Sequence, residues 1–236
     1  VAADPRRQLF GSAPGYRAMK LLVTGREGQL ARSIAEKARG RPDLELVAAG
    51  RPELDLERRA SIRDAIATAA PDVVVHAAAY TEVDRAEDEP ERAFRLNADA
   101  AGEVGAAARD VGAAVIQLST DYVFDGTATR PYAEDAATNP LGVYGASKLR
   151  GEELARAANP DHLILRTSWV YSPFGRNFVK TMLALAADRD EVSVVADQVG
   201  RPTSALDLAD ALLAIADRWR SGDRAGIGGT YHVAGS

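Results

Sequence analysis

The stretch Leu21-Leu22-Val23-Thr24-Gly25-Arg26-Glu27-Gly28-Gln29-Leu30-Ala31 decides the fold. Its apolar first half reads as a buried strand and its end opens a helical pattern, so residues 24–28 form the turn between them. Glycine at 25 and 28 lets the backbone turn tightly and approach a pyrophosphate seated at the helix N-terminus. The third position of such a turn is commonly glycine; Ala31 is small enough for the same close packing of helix on strand. A glycine pair also serves a plain turn, since positive φ favours glycine. What weighs for phosphate binding is the position, on the first strand of an alternating strand–helix chain.

That alternation runs the length of the chain. Short apolar runs at 21–24, 45–49, 73–76, 114–119, 163–166, 192–195 and 230–233 read as strands. Longer periodic stretches between them, at 29–38, 61–69, 91–109, 144–158, 178–187 and 206–219, read as helices, with Ser61 as a cap and Pro90 opening the third. The β-branched run Val73-Val74-Val75 is what a strand covered on both faces requires. The expected fold is therefore α/β, a doubly wound parallel sheet of Rossmann type. The segment 125–142 is the one long irregular loop, a place where function tends to sit.

The composition sets limits on function. With 46% hydrophobic and 27% charged residues the chain can bury a real core. A net charge of -5 offers no broad basic field, which argues against nucleic acid as a partner. There is no cysteine, so neither disulfides nor a thiolate zinc site exist. No apolar run approaches the ~18 residues that span a bilayer, so a membrane partner is not expected. Residues 1–18 carry Pro, Gly and Arg without an apolar stretch and read as an unstructured leader, not a signal peptide. These features suggest a cytoplasmic protein.

Which dinucleotide would bind is read from the second strand, whose end is Ala49-Gly50-Arg51. No carboxylate stands there for the ribose hydroxyls, and Arg51 can accommodate a 2′-phosphate, which favours NADPH. Glu53 close by keeps NADH open. His76 ends its strand and is given no catalytic role.

The chemistry is carried by two further stretches, Leu118-Ser119-Thr120-Asp121-Tyr122 and Tyr144-Gly145-Ala146-Ser147-Lys148. Tyrosine and lysine four apart share one helix face. Seven tyrosines and four lysines in 236 residues would produce such a pair by chance only about 0.1 times. A free phenol titrates near 10, and an adjacent ammonium together with a cationic nicotinamide would lower that value. Tyr144 could then give its proton to a carbonyl oxygen as hydride reaches carbon, with Lys148 as its partner. Thr120, at a strand's carboxyl end, can hydrogen-bond the same oxygen.

Thr24-Gly25-x-x-Gly28, Asn97, Ser119-Thr120 and Tyr144-x-x-x-Lys148 together resemble the extended short-chain dehydrogenase/reductases. Longer blocks are similar to the dTDP-4-dehydrorhamnose reductases among them. These include Gly28-Gln29-Leu30, residues 77–87, Ser119-Thr120-Asp121-Tyr122-Val123-Phe124, Asn139-Pro140-Leu141-Gly142-Val143-Tyr144-Gly145, Arg166-Thr167-Ser168-Trp169-Val170-Tyr171 and residues 197–203. The resemblance covers Met19 to about Gly235. It implies NAD(P)H-dependent reduction of the C4 keto group of a dTDP-sugar. Gly25, Gly28, Gln29 and Leu30 would hold the pyrophosphate and Asp55 and Leu56 the adenine. Ala78, Ala79 and Tyr80 would line the nicotinamide side, and Tyr144 and Lys148 would also contact the cofactor. Thr120, Asp121 and Trp169 would meet the sugar, and Asn177 and Arg201 the nucleotide diphosphate. Magnesium at a homodimer interface is implied too, with no ligand assignable here.

The same resemblance divides the chain into a Rossmann core, 19–170, and a small C-terminal substrate lobe with returning core elements, 171–236. Relatives of this kind continue past the position of Ser236, so an incomplete lobe, or an unusually open pocket, is expected, with cofactor binding stronger than substrate binding. Two other readings stand beside the reductase: a non-catalytic cofactor-binding subunit similar to the beta subunit of methionine adenosyltransferase, and a reductase of another 4-keto nucleotide sugar. Epimerases and dehydratases of the same fold share the tyrosine and lysine.

Overall fold

A computed structural model describes residues 17–235. The expected leader lies outside the described residues apart from Arg17 and Ala18, and the Arg17 guanidinium donates to the Asp72 carboxylate. The chain lays down β1 (Met19–Thr24), α1 (Gln29–Lys37), β2 (Leu44–Ala49), α2 (Arg59–Ala69) and β3 (Val73–His76). Then follow α3 (Val83–Asp88), α4 (Pro90–Phe94), a π-helical turn (Arg95–Asp99) and α5 (Ala100–Asp110). After β4 (Ala114–Thr120) come α6 (Val143–Ala158), β5 (His162–Thr167), β6 (Val170–Tyr171) and α7 (Phe178–Asp188). The chain closes with β7 (Thr203–Ser204), α8 (Ala205–Arg220) and β8 (Thr230–His232).

Six strands form one parallel sheet in the order β2-β1-β3-β4-β5-β8. Its strands alternate between two cores, because successive side chains leave a strand on opposite faces. Leu21, Val23, Val75 and Ile116 pack with α1 and α8 on one side, while Leu22, Val74 and Val115 pack with α2 and α5 on the other. Each fully buried aliphatic side chain contributes roughly 1.5–3 kcal/mol. The chain steps outward from β1 to β2 and returns to β3 on the other side of β1. That reversal opens a crevice at the carboxyl ends of β1 and β3, the place where doubly wound sheets bind ligands.

Three local expectations are corrected. Residues 192–195 form no strand: they join neither sheet, and Val194 and Val195 stay exposed. A two-stranded ladder of β6 with β7 forms in that part of the chain instead. The single helix expected over 91–109 is interrupted by the π-turn, and α3 precedes it. Ser61 lies inside α2 and its hydroxyl ties back to the Asp55 carbonyl at 2.9 Å rather than capping the helix.

Candidate active site

The turn after β1 is tight because one hydrogen bond closes it internally and others tie it to the end of β2. Gly25 sits at φ +86°, its N–H donates to Ala49 O at 2.8 Å, and the Gly28 N–H donates to Gly25 O at 2.7 Å. A Cβ on Gly28 would lie 3.0 Å from Gly25 O, and one on Gly25 would lie 3.2 Å from Ala78 Cα. Only glycines fit this cradle without displacing backbone. No side chain caps α1, so its first-turn amides are free to meet an anion. The geometry fits a dinucleotide pyrophosphate.

A latch holds the two walls of the crevice together. The Thr24 hydroxyl accepts the N–H groups of Ala77 at 3.1 Å and Ala78 at 3.0 Å. Its single hydrogen then goes to His76 Nδ1 at 2.9 Å. Burial pushes the His76 imidazole down to about 3, with the Lys148 ammonium adding to the effect, so the ring is neutral at every working pH. This fixes the Ala77-Ala78-Ala79 edge. Tyr80 lines it through its backbone, since its N–H donates to Asn97 Oδ1 at 2.8 Å and its carbonyl accepts from Asn97 Nδ2 at 3.0 Å. The Tyr80 ring itself is turned away, buried with Ala86 and Ala93.

The cation that crosses the end of β2 is Arg26. Its guanidinium donates to Arg51 O at 2.6 Å and to Glu53 Oε2 at 3.1 Å. The Arg51 side chain is exposed and forms no ion pair among the described residues. Asp55 is held nearby, its N–H donating to Ser61 Oγ at 3.0 Å, with Leu56 half-buried beside it.

Beyond the cradle lies a second cluster, around Tyr144. Thr120 ends β4, accepts the Tyr122 N–H at 3.2 Å and donates to Asp121 Oδ1 at 3.2 Å, with the Tyr144 phenol beside it. The Tyr122 ring meets the Tyr144 ring edge to face at 5.6 Å. Burial pushes the Tyr144 phenol up to about 12; the Thr120 hydroxyl pulls the other way, and the Asp121 carboxylate adds to the rise. Burial also lifts the Asp121 carboxyl above its usual range. Lys148 lies one turn on, fully within the core, and its ammonium donates to Leu118 O at 2.7 Å. Burial pushes Lys148 down to about 8, and the Glu152 carboxylate offsets part of that shift. The lowering of the phenol expected from Lys148 is therefore not present here: the ammonium is anchored on β4, and desolvation decides the sign.

Behind this cluster sits a buried ion pair. Arg166 donates through Nε and Nη2 to the two Glu152 oxygens at 2.9 and 2.8 Å, and Ser119 Oγ donates to Glu152 Oε1 at 2.5 Å. Glu152 completes the Tyr144–Lys148 face at the next i+4 step, a spacing the sequence displayed. Asn97 is aimed by the π-turn, and its Nδ2 also donates to Ser147 Oγ at 3.0 Å. No local pattern announces that turn.

The residues expected at the substrate are less united. Thr120 and Asp121 join Tyr144. Trp169 follows β5, whose Thr167 pairs with Thr120, and stands in the left-handed region at φ +45°. Its ring lies so close to Gly200 that a Cβ there would come within 2.6 Å of it. The Arg201 guanidinium donates to Gly235 O at 3.3 Å, and Asn177 donates to Gln29 rather than toward the phenol. Among the described residues of the single chain no group of three or more His, Asp or Glu side chains converges to hold a metal ion, and no ligand is assigned to the implied magnesium.

A glycine cradle at the switch point of a parallel sheet, with Tyr144, Lys148 and Thr120 at the next strand end, defines an oxidoreductase of the short-chain dehydrogenase/reductase class. The chain belongs to the family described as the RmlD substrate binding domain, which matches residues 19–236. A dTDP-4-dehydrorhamnose reductase from Sinorhizobium fredii is 52% identical over 218 residues, covering 92% of this chain and 73% of the relative. The crystal structure of a dTDP-4-dehydrorhamnose reductase from Clostridium acetobutylicum superposes with TM-score 0.85 at 40% identity, covering 92% of this chain and 75% of that one. One from Bacillus anthracis, solved in complex with NADP, gives TM-score 0.86 at 35% identity, covering 93% and 75%.

Proposed function

We propose that this chain reduces the C4 keto group of dTDP-4-dehydro-L-rhamnose to dTDP-L-rhamnose with NADPH, NADH being the second cofactor. The observation that carries the reading is the Tyr144 phenol beside the Thr120 hydroxyl at the strand edge next to the glycine cradle. The NADP bound by the Bacillus anthracis relative supports the choice of cofactor. Gly25, Gly28 and the first-turn amides of α1 would hold the pyrophosphate, Arg26 the adenosine end, and Ala78 and Ala79 the nicotinamide side. The dinucleotide supplies the hydride that reaches the sugar carbon.

Everything else is done by side chains of this chain. Thr120 holds the keto oxygen within reach of the phenol, which limits the motions left before reaction. Tyr144 transfers its Oη proton to that oxygen as the carbon–oxygen double bond becomes a single bond. The phenolate left behind is stabilised by the positive field of Lys148, which stays charged below about 8. No helix among the described residues is long and apolar enough to cross a membrane. We place the reaction in the cytoplasm, where the nucleotide sugar and the reduced cofactor meet.

Tyr144→Phe tests the reading. It keeps the ring and removes the proton, so turnover should fall at least about a hundredfold, while calorimetry shows NADPH affinity held. Near-normal turnover by the Phe variant would move the acid elsewhere. Cofactor binding by the wild type without turnover of the keto sugar would favour the non-catalytic subunit.

A further inference from the structure

Gln29 is the first residue of α1, and its backbone N–H is one of the first-turn amides that face the cradle. Its side chain, however, is committed elsewhere. Gln29 Oε1 accepts from Asn177 Nδ2 at 2.9 Å and from Ser172 Oγ at 3.1 Å, and Gln29 Nε2 donates to Val170 O at 3.3 Å. Gly175, at φ +63°, passes so close that a Cβ there would sit 3.3 Å from Gln29 Cγ. One turn further along α1 the Arg32 guanidinium lies 4.8 Å over the Phe174 ring. Segment 170–177 is thus strapped across the start of the helix that carries the cradle.

What the strap holds is α7. None of the eleven residues of α7 is buried, so packing does little to place it. Its position comes from its first turn. Asn177 Oδ1 caps the helix by accepting the Lys180 N–H at 3.1 Å, while the same side chain donates to Gln29 and, at 2.9 Å, to Ser172 O. Lys180 Nζ adds a bond to Pro173 O at 3.1 Å. The chain of contacts runs without a break from the cradle through Gln29 to Asn177 and the start of α7.

We propose that Gln29 is a positioning residue that couples the two sites: a dinucleotide that fixes the first turn of α1 also fixes segment 170–177, Asn177 and α7. The proposal rests on the reductase reading, in that the occupant of the cradle is NADPH. By linkage, a nucleotide diphosphate bound on the α7 side must in turn tighten the dinucleotide. A merely structural Gln29 would lower stability and leave this coupling untouched.

The test is amide hydrogen exchange on the full chain at Phe174, Lys180 and Thr181, whose N–H groups donate to Ser172 Oγ, Asn177 Oδ1 and Asn177 O. NADPH should slow exchange there at least about fivefold, the lower end of usual site-to-site coupling. Gln29→Met keeps length and shape without the three hydrogen bonds, and with NADPH bound it should leave the slowing below about twofold. Phe174→Ala, which leaves α1 and the cradle intact, should also reduce it, and decides the matter if the Met variant does not fold or does not take up cofactor. Bound NADPH that leaves these amides unchanged in the wild type, or variants that keep the full slowing, would overturn the coupling alone. Failure of the wild type to bind NADPH in calorimetry would overturn the reductase reading and the coupling with it.

Discussion

Removing one member of the Glu152–Arg166 pair should cost far more than removing both. Glu152 is 0% exposed and Arg166 6%, and the two are joined by two hydrogen bonds of 2.9 and 2.8 Å. Glu152→Gln leaves a buried guanidinium without a counter-charge, and one amide oxygen must serve both Arg166 and Ser119. Breaking a buried pair from one side costs about 3–5 kcal/mol, chiefly for the stranded charge. Arg166→Met strands the carboxylate instead, and should cost a similar amount. The double variant Glu152→Leu/Arg166→Met removes both desolvation costs and loses one acceptor for Ser119, a matter of about 1 kcal/mol. It should therefore unfold within about 2 kcal/mol of the wild type. Guanidinium unfolding followed by circular dichroism measures all three. In thermal melts each single variant should fall by about 6–20 °C, at about 2–4 °C per kcal/mol for a chain of this size. Single costs below about 1 kcal/mol, or costs that simply add in the double variant, would show that water reaches the pair and that the burial argument is wrong.

Other predictions follow from the site. Lys148 loses its charge as pH rises through about 8, so kcat/KM should fall on that limb, and a profile flat to pH 10 would remove Lys148 from the chemistry. Stability moves the opposite way: the folded value lies below the ordinary 10.5, so the unfolded chain binds more protons between about 8 and 10.5, and stability due to this group rises with pH there. Gly151→Ala would place a Cβ 2.2 Å from the Asn97 carbonyl oxygen, which neither helix can yield cheaply. It should cost about 1–3 kcal/mol and displace Asn97; an unchanged melt would refute that contact. Arg26→Ala should weaken NADPH more than NADH, by the roughly 1.5–3 kcal/mol of a charge-assisted hydrogen bond. Arg51→Ala run alongside decides which arginine meets the 2′-phosphate, and equal losses for both cofactors would leave neither in that role.

The parts of this molecule that the sequence displays are those governed by near neighbours. Strand β3 begins with its β-branched run and ends one residue past it at His76, because covered strands must be largely apolar on both faces. The glycine turn and the Tyr144–Lys148 spacing are equally local. What escapes the sequence depends on where a long side chain or an apolar run finds its partner. Residues 192–195 have the composition of a strand but pair with neither sheet, a tertiary outcome that composition does not carry. Gln29 belongs to a phosphate-binding motif, yet its amide is used up more than 140 positions away, on Val170, Ser172 and Asn177. Arg26 and Arg51 are equally cationic on paper, and only the turn geometry sends Arg26 across the end of β2.

The phenol shows the same division and bears on the direction of reaction. An i,i+4 spacing places Tyr144 and Lys148 on one face but does not say where a four-carbon stem ends, and here it ends on Leu118 O. With the ammonium anchored there, burial sets the phenol at about 12, so Tyr144 is protonated throughout the neutral range. A protonated phenol can only donate, which is the step that keto reduction requires. The reverse oxidation needs a phenolate to accept a proton, and the low-dielectric surroundings, with the Asp121 carboxylate nearby, oppose that form. The free site thus keeps the proton on the phenol, but the burial that opposes the phenolate also makes donation harder, and that cost is left to Lys148 and the bound dinucleotide to offset.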